Sequence, residues 1–220
     1  MEEKGNLATQ FFLSSLSHEI RTPLNGIIGY NQLLMQTKLK PVQKTYLNSM
    51  NKCCIQLMGL INDILDYSKL ATDKMGIHNE CFSIKEVIDA VNTTIGYRLK
   101  EKRQRCRYVI SKDLPQYVVS DKNKLTQIII NLVSNANKFT GIGGHITIHI
   151  SPKDENMLEF AIRDTGIGIS EENQAKLFDA FYQIGESVTK TGSGLGLAIC
   201  KKPVALLGGS IHVESLLGEG

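Results

Sequence analysis

The chain has 220 residues, of which 42% are hydrophobic and 21% charged, and its formal net charge is +3. That composition excludes a largely disordered chain, and the charge is too small to argue for nucleic acid as a partner. The run Ile128-Ile129-Ile130 stops at Asn131, and nothing approaches the roughly 18 apolar residues of a membrane span. The start Met1-Glu2-Glu3 has the wrong charge for a signal peptide. A cytoplasmic setting is expected, with any membrane anchor lying in a longer parent protein. The five cysteines are odd in number and include no C-x-x-C, so reduced thiols are expected rather than disulfides or a zinc site.

The first helix is predicted from near Leu7 to near Gln36, with an apolar stripe of Leu13, Leu16, Ile20, Leu24, Ile27 and Leu34. A polar turn, Thr37 to Lys40, leads to Pro41 at a plausible first helical position. The second helix places Tyr46, Met50, Cys53, Leu57, Leu60, Ile64 and Tyr67 alternately four and three apart, the spacing of a bundle seam, and Ile61 and Leu65 widen the stripe. One hairpin cannot cover both seams. The expected solution is a homodimer whose two hairpins form a four-helix bundle. The alternative is that the hairpin packs on the rest of its own chain.

After about Met75 the pattern becomes mixed α+β. A strand is predicted near Gly76–Phe82, followed by the capping box Ser83-Ile84-Lys85-Glu86 and a helix to about Glu101. Another strand follows near Arg107–Ile110, and Asp121 opens a helix to about Lys138. Strands near His145–Ser151 and Leu158–Arg163 read as a hairpin. A glycine loop, a short helix from Ser170, a second glycine loop, a helix from Leu195 and a strand over Ser210–Glu214 complete the pattern. The basic run Arg98–Arg107 reads as a solvated helix end and turn.

Four constellations could carry chemistry. His18 lies two residues from both Leu16 and Ile20, so it points away from the seam, beside Glu19; an exposed imidazole with an adjacent carboxylate is a nucleophile with its base. Thr22 shares the face of His18, and Pro23 removes a backbone bond just after it. Asn131, Asn135 and Lys138 project from one helix face; amide oxygens suit Mg²⁺ and the lysine suits phosphate. Asp164-Thr165-Gly166-Ile167-Gly168 follows a strand, where glycines admit a close ligand and the aspartate can accept from an exocyclic amine. Gly192-Ser193-Gly194-Leu195-Gly196 precedes a helix, a setting that binds anions, although it is neither a P-loop nor a dinucleotide fingerprint.

Taken in this order the motifs resemble those of the sensor histidine kinases of two-component systems. FFLSSLSHEIRTPLNGIIG (Phe11 to Gly29) resembles the His box, NLVSNANKFT (Asn131 to Thr140) the Asn box, and DTGIGI (Asp164 to Ile169) the first glycine box. FDAFYQ (Phe178 to Gln183) and GSGLGLAI (Gly192 to Ile199) resemble the Phe box and the second glycine box. The resemblance implies a dimerisation and histidine-phosphotransfer domain over residues 1–72 and a Bergerat-type ATP-binding α/β sandwich over 73–220. It implies an enzyme that uses ATP and Mg²⁺ to phosphorylate His18 and passes phosphate to an aspartate of a response-regulator receiver domain. Glu19 would be the acid/base partner, and Thr22 would complete a water-positioning element for receiver dephosphorylation. Asn135 would ligate Mg²⁺, with Asn131 and Lys138 on the metal shell or phosphates. Asp164 would hold the adenine amine, Gly166 and Gly168 would shape the pocket, and Gly192, Gly194 and Gly196 would support a lid. A hinge near Ala71–Gly76 would bring ATP to His18.

ATP-hydrolysing relatives carry a glutamate four residues before the metal-binding asparagine; here that residue is Asn131, and an amide is no general base. Pro203 falls where the family has an apolar helix former, at a cost of about 3 kcal/mol in a helix interior, and a kink or break near Ile199–Lys202 is expected. The family's last strand is not reached by Gly220, so the sheet is expected to lack an edge strand. Asn137 replaces a usually apolar residue. Pro203 and the missing end motivate an alternative, a non-catalytic dimer that binds nucleotide or a receiver; a second alternative, a plain ATP hydrolase, is opposed by Asn131.

Overall fold

The computed structural model describes residues 2–71, 76–184 and 194–220, the side chains of 2–14, 66, 67 and 69–71 excepted. It divides into a helical unit within the first 75 residues and a mixed unit of residues 76–184 and 196–220. The side chains of Leu13 and Tyr67, the expected hinge and Gly192 lie outside the described residues.

In the helical unit, α1 (Glu2–Met35) and α2 (Pro41–Ala71) form an antiparallel hairpin. Arg21 Nη2 donates to Asn62 Oδ1 at 3.3 Å, and Asn31 Nδ2 donates to the Leu47 carbonyl at 2.8 Å. Ser17, Leu24 and Asn31 of α1 are buried with Leu47, Cys54 and Ile61 of α2. Each set recurs every seven residues, so this is the hairpin's own seam. Of the stripe expected for α2, Ile61 is buried and Leu60 half-buried, but Tyr46 is 65%, Met50 48%, Leu57 43% and Ile64 41% exposed. On α1, Leu16, Ile27 and Leu34 are likewise exposed, and among the described side chains of the expected stripe only Leu24 is buried. Two adjacent apolar faces run along each helix, and one hairpin can cover only one of them. Ser17 Oγ is buried without a hydrogen-bond partner among the described residues.

The mixed unit starts with β1 (Glu80–Phe82), shorter than the expected strand because residues 76–79 pair with no strand among the described residues. Its partner, β3 (Val118–Ser120), was not anticipated; the two form an antiparallel ribbon with Cys81 opposite Val119. Helix α3 (Ile84–Glu101) opens as expected, Ser83 N–H donating to Glu86 Oε1 at 3.0 Å. Strands β2 (Arg105–Ile110), β4 (His145–Pro152) and β5 (Leu158–Asp164) form a sheet in the order β2-β4-β5, parallel in the first pair and antiparallel in the second. Alternation along β4 sends Ile146, Ile148 and Ile150 to one face. They pack with Val87, Val91 and Ile95 of α3 and with Ile129, Val133 and Ala136 of α4 (Lys122–Phe139) as a single core. Among the described residues β5 pairs with β4 alone.

Asp121 caps α4. Its Oδ1 accepts from Lys124 N–H at 3.0 Å, and its Oδ2 accepts from His78 N–H at 3.0 Å and from Lys124 Nζ at 2.6 Å. Burial alone pushes this carboxyl up; the bonds from Lys124 and His78 outweigh it and hold the group at about 2. Because the folded value lies below the unfolded one, the contribution is full above pH ~4 and vanishes as pH falls through ~2. Urea titrations across this range should show about 2 kcal/mol of mixed-unit stability lost on acidification. Asp121→Asn should be weaker at neutral pH and lose less; an unchanged pH slope would refute the assignment.

The C-terminal segment shows neither an interruption of the last helix at Pro203 nor the expected strand over Ser210–Glu214. Helix α6 (Gly196–Leu206) runs through Pro203 without a break. The ring is buried beside Ile199 and Cys200, so apolar contact offsets the missing backbone bond, and the helix closes with Leu207 N–H on the Pro203 carbonyl at 2.9 Å. Ser210–Glu214 forms no strand. The chain beyond it folds over the first glycine loop instead: Ser215 Oγ accepts from Ile169 N–H at 2.8 Å, and Gly218 N–H donates to the Ile167 carbonyl at 2.8 Å. The short helix expected from Ser170 is α5 (Glu171–Gln174), whose Gln174 Nε2 donates to the Ser215 carbonyl at 2.8 Å.

Candidate functional site

On α1, His18, Glu19 and Thr22 are all exposed, on the side turned away from the buried Ser17 and Leu24. Thr22 Oγ1 donates to the His18 carbonyl at 3.1 Å. Pro23 has no N–H to give the Glu19 carbonyl, so the turn carrying the histidine lacks one backbone bond. An accessible imidazole nitrogen with a carboxylate on the next residue can act as a nucleophile toward an electrophile brought from outside.

In the mixed unit Asp164 and Gly166, just after β5, lie against the end of α4. Asp164 Oδ1 accepts from Gly166 N–H at 2.8 Å and from Thr140 Oγ1 at 3.2 Å. Both bonds fall on one oxygen, so Oδ2 remains to accept from a ligand N–H. Gly166 has no room for a side chain: a Cβ would stand 2.8 Å from the Phe139 carbonyl oxygen. Gly168 adopts φ +65°, where a side chain is strained, and lies against the Leu216 carbonyl.

Asn131, Asn135 and Lys138 share one face of α4, as their spacing predicts. Asn131 Nδ2 reaches the Gly196 carbonyl at 3.4 Å and Cys200 Sγ at 3.8 Å, tying α4 to the first turn of α6. Asn135 is half-buried and has no side-chain partner among the described residues. Lys138 Nζ lies 4.5 Å from the centre of the Phe139 ring, and desolvation lowers its pKa. Gly194 takes φ +71° just before α6, and Gly196 is its first residue. Cys200, buried under Asn131, has its thiol pushed up to about 11 by burial.

Sequence reasoning did not single out the support for this end of α4. Thr140 lies inside a quoted motif, but its contact with Asp164 depends on where β5 ends. Lys102 Nζ, within the basic run, donates to the carbonyls of Asn137 at 2.6 Å and Lys138 at 3.0 Å, closing the C-terminus of α4. Asn137, the polar residue at an apolar position, is buried and donates to Gln104 Oε1 at 2.6 Å.

Residues 8–73 match the His Kinase A (phospho-acceptor) domain, and residues 120–220 match the histidine kinase-, DNA gyrase B- and HSP90-like ATPase family. The chain is 40% identical over 215 residues to the signal transduction histidine-protein kinase BarA of Escherichia coli K12, covering 95% of this chain and 23% of BarA. It is 38% identical over 214 residues to the sensor histidine kinase GacS of Pseudomonas protegens, again covering 95% and 23%. The crystal structure of full-length ShkA in complex with AMPPNP superposes with a TM-score of 0.77 at 33% identity, over 94% of this chain and 43% of ShkA. The chain thus spans about a quarter of the length of these curated relatives. It belongs to the sensor histidine kinases of two-component systems and carries the phosphoacceptor and ATPase regions of a histidine protein kinase. No described helix is long and apolar enough to cross a membrane.

Proposed function

We propose that this chain is an ATP-dependent histidine kinase core that phosphorylates His18 and donates the phosphoryl group to an aspartate of a response-regulator receiver domain. Residues 1–72 serve dimerisation and phosphotransfer, and residues 73–220 bind ATP. The observation that carries the reading is the exposed His18–Glu19 pair on α1. Asp164 Oδ2 accepts the exocyclic N–H of adenine, and Gly166 and Gly168 let the base approach the backbone. Asn135 would offer a hard amide oxygen to Mg²⁺, which when bound would supply positive charge against the phosphates. Lys138 pairs with the phosphates, and Gly192, Gly194 and Gly196 support the loop over them.

Asn131 supplies no base for water, and its Nδ2 is already engaged by the Gly196 carbonyl. The γ-phosphoryl group is therefore retained for the imidazole. The His18 nitrogen forms the N–P bond as the bond to the β–γ bridging oxygen breaks, and Glu19 takes the imidazole proton. In the next step the N–P bond breaks in favour of a receiver carboxylate. In the reverse sense, Glu19 and Thr22 orient water for receiver dephosphorylation. The exposed seams of α1 and α2 support a homodimer in which two hairpins cover one another. The non-catalytic alternative loses one of its motives, because Pro203 leaves α6 intact.

Incubating the chain with γ-labelled ATP and Mg²⁺ tests the reading. The expected product carries label that acid releases and base does not, as a phosphoramidate requires. Intact ATP binding without label would overturn the kinase reading in favour of the binding module.

A further inference from the structure

We propose that Gln104 and Asn137, a buried amide pair behind the pocket, are positioning residues that aim Asp164 at the exocyclic amine of the base. The inference rests on the reading of Asp164 as the adenine acceptor and adds a source for its selectivity. Gln104 and Asn137 are 8% and 7% exposed. Asn137 Nδ2 donates to Gln104 Oε1 at 2.6 Å. Gln104 Nε2 turns back to the main chain, donating to the Thr140 carbonyl at 2.7 Å, with the Asn137 and Gly141 carbonyls at 3.1 and 3.2 Å.

Thr140, 1% exposed, is therefore held through its carbonyl while its hydroxyl donates to Asp164 Oδ1 at 3.2 Å. With Oδ1 engaged by Thr140 and Gly166, the carboxylate plane is set and Oδ2 is presented to a ligand. The chain of bonds runs from Gln104, in the turn between α3 and β2, through the end of α4 to the end of β5. An apolar side chain at residue 137 would leave Gln104 Oε1 buried without its donor, and one at residue 104 would strand the Asn137 amide that donates to it.

A purely structural role is separable. The carbonyls that Gln104 serves keep other donors: Lys102 Nζ lies 2.6 Å from that of Asn137 and 3.4 Å from that of Thr140, and Gly144 N–H lies 3.2 Å from that of Gly141. Replacing both amides by leucine therefore removes the aim without stranding a polar group, a change that is nearly neutral for folding.

The test measures the affinity of the full chain for Mg–ATP and for Mg–purine riboside triphosphate, which lacks the exocyclic amine. Both compete against a fluorescent nucleotide, and melting temperature is measured alongside. Wild type should prefer ATP. Asn137→Leu should cut that preference about tenfold and lower the melting temperature. Gln104→Leu combined with Asn137→Leu should recover the melting temperature but not the preference. Full preference in the double variant, or equal weakening of both nucleotides in either variant, would overturn the proposal and leave the pair a structural brace. A wild-type chain indifferent to the amine would overturn the Asp164 reading itself, and this proposal with it.

Discussion

His18→Ala should incorporate no label from γ-labelled ATP while binding nucleotide as wild type does. The imidazole is exposed and takes part in none of the contacts that close the hairpin, which are made by Ser17, Leu24 and Asn31 on the opposite side of α1. Alanine is the best helix former, so the turn beside Pro23 keeps its helicity. The pocket residues Asn135, Lys138 and Asp164 lie in the mixed unit, so affinity for ATP has no reason to change. The expected effect is therefore complete and confined to the chemical step. Glu19→Gln supplies the complement: it keeps the nucleophile and removes the proton acceptor, and should slow labelling by roughly 10²–10⁴-fold. Label that persists in His18→Ala would place the acceptor elsewhere, and Glu19→Gln at the wild-type rate would remove Glu19 from the mechanism.

Leu57→Asp should convert the chain from dimer to monomer at tens of micromolar, read by sedimentation or light scattering. Leu57 belongs to the outer seam of α2, 43% exposed in a single chain, next to Met50 and Ile64. In a four-helix bundle that seam is buried against the partner. Losing one leucine forfeits about 1.5–3 kcal/mol, and placing a carboxylate there adds a desolvation cost. The change occurs twice per dimer, so the dissociation constant should rise by roughly 10³-fold or more. Helicity should change little, because the hairpin's own seam of Leu47, Cys54 and Ile61 is untouched. A wild-type monomer, or a Leu57→Asp dimer of unchanged strength, would mean the outer seam is not the interface.

Much of the site was legible in residue order because it consists of local devices. Asn131, Asn135 and Lys138 share a face through helical spacing alone, and His18 points outward for the same reason. Asp164, Gly166 and Gly168 belong to one loop, in which the Asp164 carboxylate accepts from the Gly166 N–H two residues on. Caps were equally legible, since Ser83 with Glu86 and Asp121 with Lys124 act across three residues. The hairpin was legible as a pair of helices, and its outer seam as a heptad.

Which of two adjacent heptads faces α1 was decided by packing: Leu47, Cys54 and Ile61 fit the neighbouring helix, leaving Tyr46, Met50 and Leu57 outside. Strand β3 is three residues long and exists because β1 lies beside it; such a short run has no periodicity to betray it. Pro203 reads as a breaker by propensity, but burial of its ring outweighs one lost backbone bond, a balance only the tertiary surroundings can set. The segment Ser210–Glu214 has strand-like alternation and still forms none, because β5 is not its partner and a strand has no stability without one. Asn137 is an oddity as a letter and a necessity in space, since its partner Gln104 is 33 residues away. Short-range hydrogen bonding and helical periodicity are written in neighbouring residues. Which face is covered, and whether a buried polar group is satisfied, depends on residues that only folding brings together.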